Sequence, residues 1–339
     1  MAIWVALDAM GGDFAPRATV EGALLALKEF SDLGVYLVGQ PEIIASLLKR
    51  KKNRRLEIFP ASQVVAMDES PIGALRTKQD SSIRKAFELL KEGRAQALVS
   101  AGNSGAVLAT ALFVLGRIKG VSRPAIATVL PTIKGSAVMI DSGANVDCKP
   151  HHLLQFAHMG MVFCREILGV SSPRVGLLSI GEEGGKGNNL VKRAHQLLSQ
   201  SQLNYVGNIE GRDIYRGDVD VIVCDGFVGN ICLKLSEGLA EALMCMMAQE
   251  IKKHRLAQLG FTFARTALKN FRARIDWRER GGAPLLGVKG VVIISHGRSD
   301  ACAIKNALGT ALGFVREEIV ANLTEALENL PAVLSQGEK

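Results

Sequence analysis

The sequence predicts an α/β protein: a three-layer α/β/α arrangement around a mainly parallel, doubly wound sheet, with a protruding helical hairpin. Three observations predict it. Short β-branched apolar runs alternate with helical periodicity almost from end to end, the pattern of strands joined by crossover helices. Several runs are continuously apolar, as strands buried on both faces of a parallel sheet must be. Polar, glycine-rich clusters follow the carboxyl ends of the runs, where open α/β sheets hold their ligands.

In chain order, the strand runs are Ile3–Leu7, Val35–Val38, Leu56–Phe59, Ala97–Ser100, Ile126–Leu130, Ala137–Ile140, Val175–Ile180, Val219–Cys224 and Val291–Ser295. Helical periodicity occupies stretches between them such as Arg17–Phe30, Ser82–Glu92, Leu153–Leu168 and Asn188–Ser199. The alternation breaks over 237–276, where the pattern is helical throughout. Leu239, Leu243, Met246 and Met247 form one apolar stripe there; Ala264, Leu268, Phe271 and Ile275 form another. Gly260 reads as a helix stop between them. The segment is therefore expected to be a hairpin insertion, with Leu256, Leu259, Phe261 and Phe263 at or near its tip.

Hydrophobic residues make up 48% of the 339, enough for a large core and too many for a disordered or fibrous chain. Aromatics at 5% are too sparse for a platform on which bases stack. The six cysteines include no C-x-x-C pair, so reduced cytosolic thiols are expected. The opening MAIWVALDAMGGD has no basic leader, unlike a signal peptide. The longest apolar stretch, 106–115, is far short of the roughly 20 residues that span a bilayer.

The net charge is +8, yet residues 252–280 alone hold nine Lys and Arg against two acids. The rest of the chain is nearly neutral. One basic region suits an acidic protein partner, an anionic membrane, or both, and argues against a general nucleic-acid surface.

Six clusters end the strand runs: DAMGGD (8–13), SAGNSG (100–105), DSGAN (141–145), GEEGGKGN (181–188), DGFVGN (225–230) and SHGR (295–298). Glycines ahead of a helix N-terminus leave backbone N–H groups free for a phosphate. Neither G-x-x-x-x-G-K-[ST] nor G-x-G-x-x-G is matched, so a nucleotide fingerprint is unsupported. G-x-S-x-G is absent too, which removes the hydrolase elbow. Lys186 lies among five glycines between 176 and 187, where the backbone can approach a ligand closely; a solvent-exposed lysine is its ordinary alternative. His296 directly follows an apolar strand, as a catalytic group or as a hydrogen-bonded strand end. His151 and His152 are expected to cap or line a first helical turn. Asp8, Asp13, Asp141 and Asp225 sit at strand ends, where turn-forming competes with Mg²⁺ binding. No metal site and no cofactor are predicted. The residues alone lead to a cytosolic α/β enzyme with a phosphate-like ligand in a cleft, and leave the reaction open.

Seven motifs in order, DAMGGD (8–13), SAGNSGA (100–106), DSGANVDCKP (141–150), LLSIGEEGGKGN (177–188), GNIEGRDI (207–214), DGFVGNICLK (225–234) and GGAPLLGVKG (281–290), resemble the phosphate acyltransferase family, the PlsX-type acyl-[acyl carrier protein]:phosphate transacylases. The resemblance covers nearly the whole chain. It implies transfer of a long-chain fatty acyl group from acyl carrier protein to inorganic phosphate, giving acyl-phosphate for phospholipid (phosphatidic acid) synthesis. It implies a fold similar to phosphotransacetylases and the isocitrate/isopropylmalate dehydrogenases, with two intertwined subdomains, a cleft between them and a homodimer. It also implies peripheral contact with the inner face of the cell membrane and a downstream glycerol-3-phosphate acyltransferase as a further partner.

Phosphate is itself the nucleophile in such a reaction, so no covalent enzyme intermediate is needed. On that basis Gly11, Gly12, Asn103, Ser104 and Gly105 are expected to cradle phosphate, with Lys186 as the cation. Asn188 or Asn230 is the candidate oxyanion donor, and His296 the candidate acid for the leaving thiolate. Asp8, Asp13, Asp141, Asn145 and Asp225 would orient these groups. Leu256, Leu259, Phe261, Phe263, Arg265, Lys269 and Arg272 would meet a membrane or partner. The alternatives are a phosphotransacetylase acting on acyl-CoA, a non-catalytic membrane scaffold that binds acyl carrier protein, and a decarboxylating dehydrogenase of the similar fold.

Overall fold

The computed structural model describes residues 2–49, 53–254, 256, 260–261 and 263–328. Its strands are β1 (Ile3–Asp8), β2 (Leu33–Gly39), β3 (Leu56–Pro60), β4 (Ala97–Ser100), β5 (Ala125–Thr132), β6 (Gly135–Ile140), β7 (Val175–Leu178), β8 (Tyr205–Ile209), β9 (Val221–Val223), β10 (Ala283–Leu286) and β11 (Val291–Ile294). They form one sheet in the order β3-β2-β1-β4-β11-β10-β5-β6-β9-β7-β8. Its helices are α1 (Arg17–Glu29), α2 (Pro41–Leu48), α3 (Pro71–Thr77), α4 (Ser82–Lys91), α5 (Ser104–Val114), α6 (Pro150–Leu168), α7 (Asn189–Ser199), α8 (Gly226–Lys253), α9 (Arg265–Ile275), α10 (Ala301–Arg316) and α11 (Ile319–Glu328).

The sheet contains two parallel blocks. In the first, β1 lies between β2 and β4, with Val5 opposite both Val35 and Ala97, and β11 extends it beside β4. In the second, β9 lies between β6 and β7. The two blocks run in opposite directions. Strand β10 is antiparallel to β11 and to β5, so β5 keeps the direction of the first block. A tight hairpin then pairs Thr132 with Gly135, and a two-residue turn of this kind can only return the chain antiparallel. Everything hydrogen-bonded beyond β6 inherits that reversal.

Helices cover both faces. One continuous core lies under α1, α6, α7, α10 and α11 and draws side chains from strands of both blocks, Val99 and Val223 among them. On the other face the core divides. One cluster packs α4 and α5 over the first block through Phe87 and Val107; a separate one packs the start of α8 over the second through Ile222 and Val228.

Two strands escape the sequence pattern. Strand β8 is broken by Gly207, which holds φ +108, and β10 carries Pro284 paired with Ile293; glycine and proline inside a strand mask it. Helix α6 starts at Pro150, before Leu153, because the Lys149 N–H donates to His152 Nδ1 at 3.0 Å and proline suits the first turn. His151 and His152 thus line that turn.

The helical segment also differs from expectation. Helix α8 begins at Gly226, not near Glu237, because Asp225 accepts the Val228 N–H at 2.9 Å and caps it there. It ends at Lys253 with His254 extended. Gly260 is not a stop: it is helical, and its carbonyl accepts the Ala264 N–H at 3.0 Å. Leu256 and Phe263 are exposed, Phe261 is half-buried, and Arg265 and Lys269 face solvent. Leu259 and the side chains of Arg272 and Ile275 lie outside the described residues.

Candidate active site

Three loops of the first block interlock at the carboxyl ends of β1, β4 and β11. Asp8 closes β1, is fully buried, and accepts the Ser100 hydroxyl at 2.7 Å and the Met10 N–H at 3.3 Å. Burial holds its carboxyl above the usual range, against the pull of these bonds. A Cβ at Gly11 would sit 2.5 Å from Asp8 Oδ2 and 2.7 Å from the Gly102 nitrogen, so only glycine lets the loops after β1 and β4 meet. Gly12 has φ +106 and approaches the Gly297 carbonyl, which also accepts the Asp13 N–H at 2.8 Å.

Asn103 locks a fourth segment onto this cradle. Its Oδ1 accepts the Ala106 N–H at 3.0 Å, capping α5, while Nδ2 donates to the carbonyls of Met67 and Glu69 at 3.0 and 2.9 Å. Those bonds occupy its amide, so Asn103 shapes the cradle from behind. Ser104 and Gly105 open α5, where backbone N–H groups have no partner within the helix.

Helix α8 brings Lys234 to the loop after β11 and Asn230 to the loop after β6. Asn230 lies beside the loop after β6, with its Cβ 3.7 Å from where a Gly143 Cβ would be. Lys234, one turn on, places Nζ 3.0 Å from His296 Nε2 and 2.8 Å from Glu237 Oε2. His296 Nδ1 meanwhile lies 3.1 Å from the Arg298 backbone nitrogen. Burial, and then the Lys234 charge, hold the imidazole below its ordinary pKa. Lys234 was absent from the sequence candidates. The signal was its i, i+4 spacing from Asn230, which puts both on one helix face.

The second block's carboxylates are spent on backbone. Asp141, buried and with its carboxyl pushed up by burial, accepts N–H groups from Ile126, Gly143, Ala144 and Asn145 at 2.7–3.1 Å. The Asn145 amide bridges Asp141 and the Pro124 carbonyl, and its own carbonyl accepts the Gly226 N–H. Asp225 caps α8. Asn188 caps α7 by accepting the Val191 N–H at 2.9 Å, and Lys186 is exposed in a loop held by Asn208 through the Glu183 carbonyl. Among the described residues no hydrogen bond or ion pair joins Lys186 or Asn188 to the cradle. Strand β7 lies five places from β11 in the sheet, about 24 Å at ~4.8 Å per strand.

A family model described as "Fatty acid synthesis protein" matches residues 3–322. A phosphate acyltransferase of Heliobacterium modesticaldum is 53% identical over 324 residues, covering 95% of this chain and 96% of the relative. One from Pelotomaculum thermopropionicum is 52% identical over 327 residues, covering 96% and 95%. The chain belongs to the phosphate acyltransferase family.

This phosphate acyltransferase family member is therefore an enzyme. Its fold is similar to solved phosphotransacylases. A phosphotransacetylase from Streptococcus pyogenes superposes with TM-score 0.59 at 16% identity, covering 97% of this chain and 95% of that one. A branched-chain phosphotransacylase from Enterococcus faecalis gives 0.60 at 14%, covering 92% and 99%. Among the described residues no three His, Cys, Asp or Glu side chains converge on one point. An open groove of about 600 Å³ at the ends of β2 and β3 is a different feature. Its Asp80 accepts the Ser62 hydroxyl, its Lys85 pairs with Glu88, and the two charges lie 3.9 Å apart.

Proposed function

We propose that this acyltransferase takes a long-chain fatty acyl group from the thioester of an acyl carrier protein and gives acyl-phosphate for phospholipid synthesis. The observation that carries this reading is the cradle, three glycine-bearing loops meeting at the start of α5. Backbone N–H groups of Gly11, Gly12, Ser104 and Gly105 hold phosphate against the thioester carbonyl, so most of the catalytic gain is orientation. A phosphate oxygen attacks the carbonyl carbon, the C–S bond breaks, and the proton of the attacking dianion ends on the departing thiolate.

Asn230 is our choice for the oxyanion donor, because α8 carries it on the face that reaches His296, whereas Asn188 opens α7. His296 serves better as a positioning group than as the acid, since an imidazole held below its ordinary pKa is unprotonated at neutral pH. A thiolate with pKa of about 8.5 leaves without an obligatory acid. Lys186 keeps its proposed role as a phosphate cation only if Lys186→Ala alters turnover or phosphate affinity.

The basic segment 252–280, with nine Lys and Arg, supports docking of an acidic carrier protein. Exposed Leu256 and Phe263 beside Arg265 and Lys269 support contact with an anionic membrane surface. Among the described residues no helix is long and apolar enough to cross a membrane. Phe227, Ile231, Leu235, Leu239, Leu243 and Met246 leave an exposed apolar face along α8, which supports a homodimer. We read the two parallel blocks as intertwined subdomains with the cleft between them.

The likeness of the fold to phosphotransacetylases favours acyl-CoA as the competing donor. Purified protein is incubated with phosphate and either palmitoyl-acyl carrier protein or acetyl-CoA, and acyl-phosphate is trapped as the hydroxamate. Product from the carrier thioester alone is the expected result. Preference for acetyl-CoA overturns the donor, and no product from either supports a scaffold instead.

A further inference from the structure

The loop after β11 and helix α8 come from different blocks of the sheet, and they meet at Lys234 and His296. Lys234 Nζ lies 2.8 Å from Glu237 Oε2 and 3.0 Å from His296 Nε2. A lysine ammonium has three N–H donors. Two acceptors on separate elements take two of them and so fix the direction of the third. Lys234 is half exposed while Glu237 is 21% exposed, so the open side of this cluster belongs to the ammonium.

His296 has no comparable freedom. Its Nδ1 faces the Arg298 N–H at 3.1 Å and its Nε2 faces Lys234. A neutral imidazole carries one proton and accepts at one nitrogen only; with Nε2 accepting from Lys234 that proton sits on Nδ1, and the imidazolium is the opposed state. The charged groups around it are Lys234 and Glu237 on α8, Arg298 in its own loop and Asp13 after β1. The neighbouring Gly297 carbonyl accepts the Asp13 N–H at 2.8 Å and lies against Gly12, which ties the His296–Lys234 pair to the glycine loops.

We propose that Lys234 is a phosphate-contacting cation of the site: its third N–H is aimed at a phosphoryl oxygen, with His296 and Glu237 as positioning residues. This rests on the reading of the cradle as the phosphate site. A neutral anchor on one side and a carboxylate on the other hold the ammonium in place. Phosphate then meets a preset donor, and little side-chain order has to be gained on binding.

The test separates phosphate from the thioester donor. In Lys234→Met, KM for inorganic phosphate should rise roughly 10–100-fold, the loss of one charge-assisted hydrogen bond. KM for the acyl thioester should stay within about twofold, and Lys234→Arg should recover part of the loss. His296→Leu should raise the phosphate KM by less than Lys234→Met does. Unchanged phosphate KM, or a rise confined to the thioester KM, overturns the assignment. Inorganic phosphate should also raise the Tm of the wild type and not that of Lys234→Met. That readout needs no turnover, so it decides the role of Lys234 even if the acyl donor proposed above is wrong. Equal phosphate-dependent Tm shifts in both proteins overturn it. Should Lys234→Met fail to fold, the same two measurements on Lys234→Gln decide, with unchanged values again fatal.

Discussion

The loops after β1, β4 and β11 and the loop after β7 are alike in composition and opposite in construction. The first set is welded together: Gly11 against Gly102, Gly12 against Gly297, and buried Asp8 bonded to Ser100. The loop 181–188 holds as many glycines, yet Glu182, Glu183, Lys186 and Asn188 are exposed. Its ties are to its own helix, to β8 and to Arg212, through Asn188, Asn208, His195 and Glu182. A glycine-rich loop thus has two physical uses. It lets backbones touch where a Cβ would collide, or it supplies turns in an open segment. Composition does not separate the two.

The sharpest way to break this comparison is to add one methyl group to each kind of loop. Gly11→Ala should destabilise by at least about 3 kcal/mol and abolish turnover, because the new Cβ meets Asp8 and the Gly102 nitrogen at 2.5 and 2.7 Å. Gly185→Ala meets nothing within 4 Å and should stay within about 0.5 kcal/mol. Urea denaturation of both variants checks this, and equal losses would end the distinction.

The two capping asparagines give a smaller contrast. Asn103→Ala removes a cap and orphans the Met67 and Glu69 carbonyls, so about 2–3 kcal/mol should be lost. Asn188→Ala removes only the exposed cap on α7 and should cost about 1 kcal/mol. The same denaturation series measures both.

A third prediction concerns the back layer that the two blocks share. Burial pushes His152 and His158 on α6 down to about 4, against an ordinary value of about 6.5. Between those values the unfolded chain binds more protons than the folded one, so these groups stabilise the fold above pH of about 6.5. That contribution is lost as the pH falls towards 4. His158→Phe should flatten this part of the stability–pH curve by about 1–2 kcal/mol relative to the wild type. Parallel curves would show that the histidine is not buried in the neutral form.

The smallest expected effect is Lys186→Ala on stability, within about 0.5 kcal/mol for a side chain exposed in an open loop. A larger loss would mean that the loop 181–188 is held more tightly than its contacts suggest.

Much of this was legible in the residues. Short apolar runs marked nine strands, several of them continuous because burial on both faces leaves no room for polar positions. The clusters at their ends marked the cradle loops, and His296 stood out as a polar group directly after β11. Other features were masked. Gly207 and Pro284 disguised β8 and β10. The glycines of DGFVGN hid the first turn of α8, although Asp225 three residues before Val228 is a capping signal. Lys234 carried no mark of its own, since a lysine on a helix is ordinarily solvated.

The sequence by itself determined the fold class, most of the strands and the family, because these rest on local periodicity and on motifs within one stretch of chain. The tertiary structure decided which loops share a site. Strand direction is set by pairing, so the short Thr132–Gly135 hairpin turns the second block around and parts the loop of Lys186 from the cradle. Helix α8 then carries Lys234 to His296 across that reversal. A contact between residues 62 positions apart depends on how the blocks pack, and no local pattern encodes it.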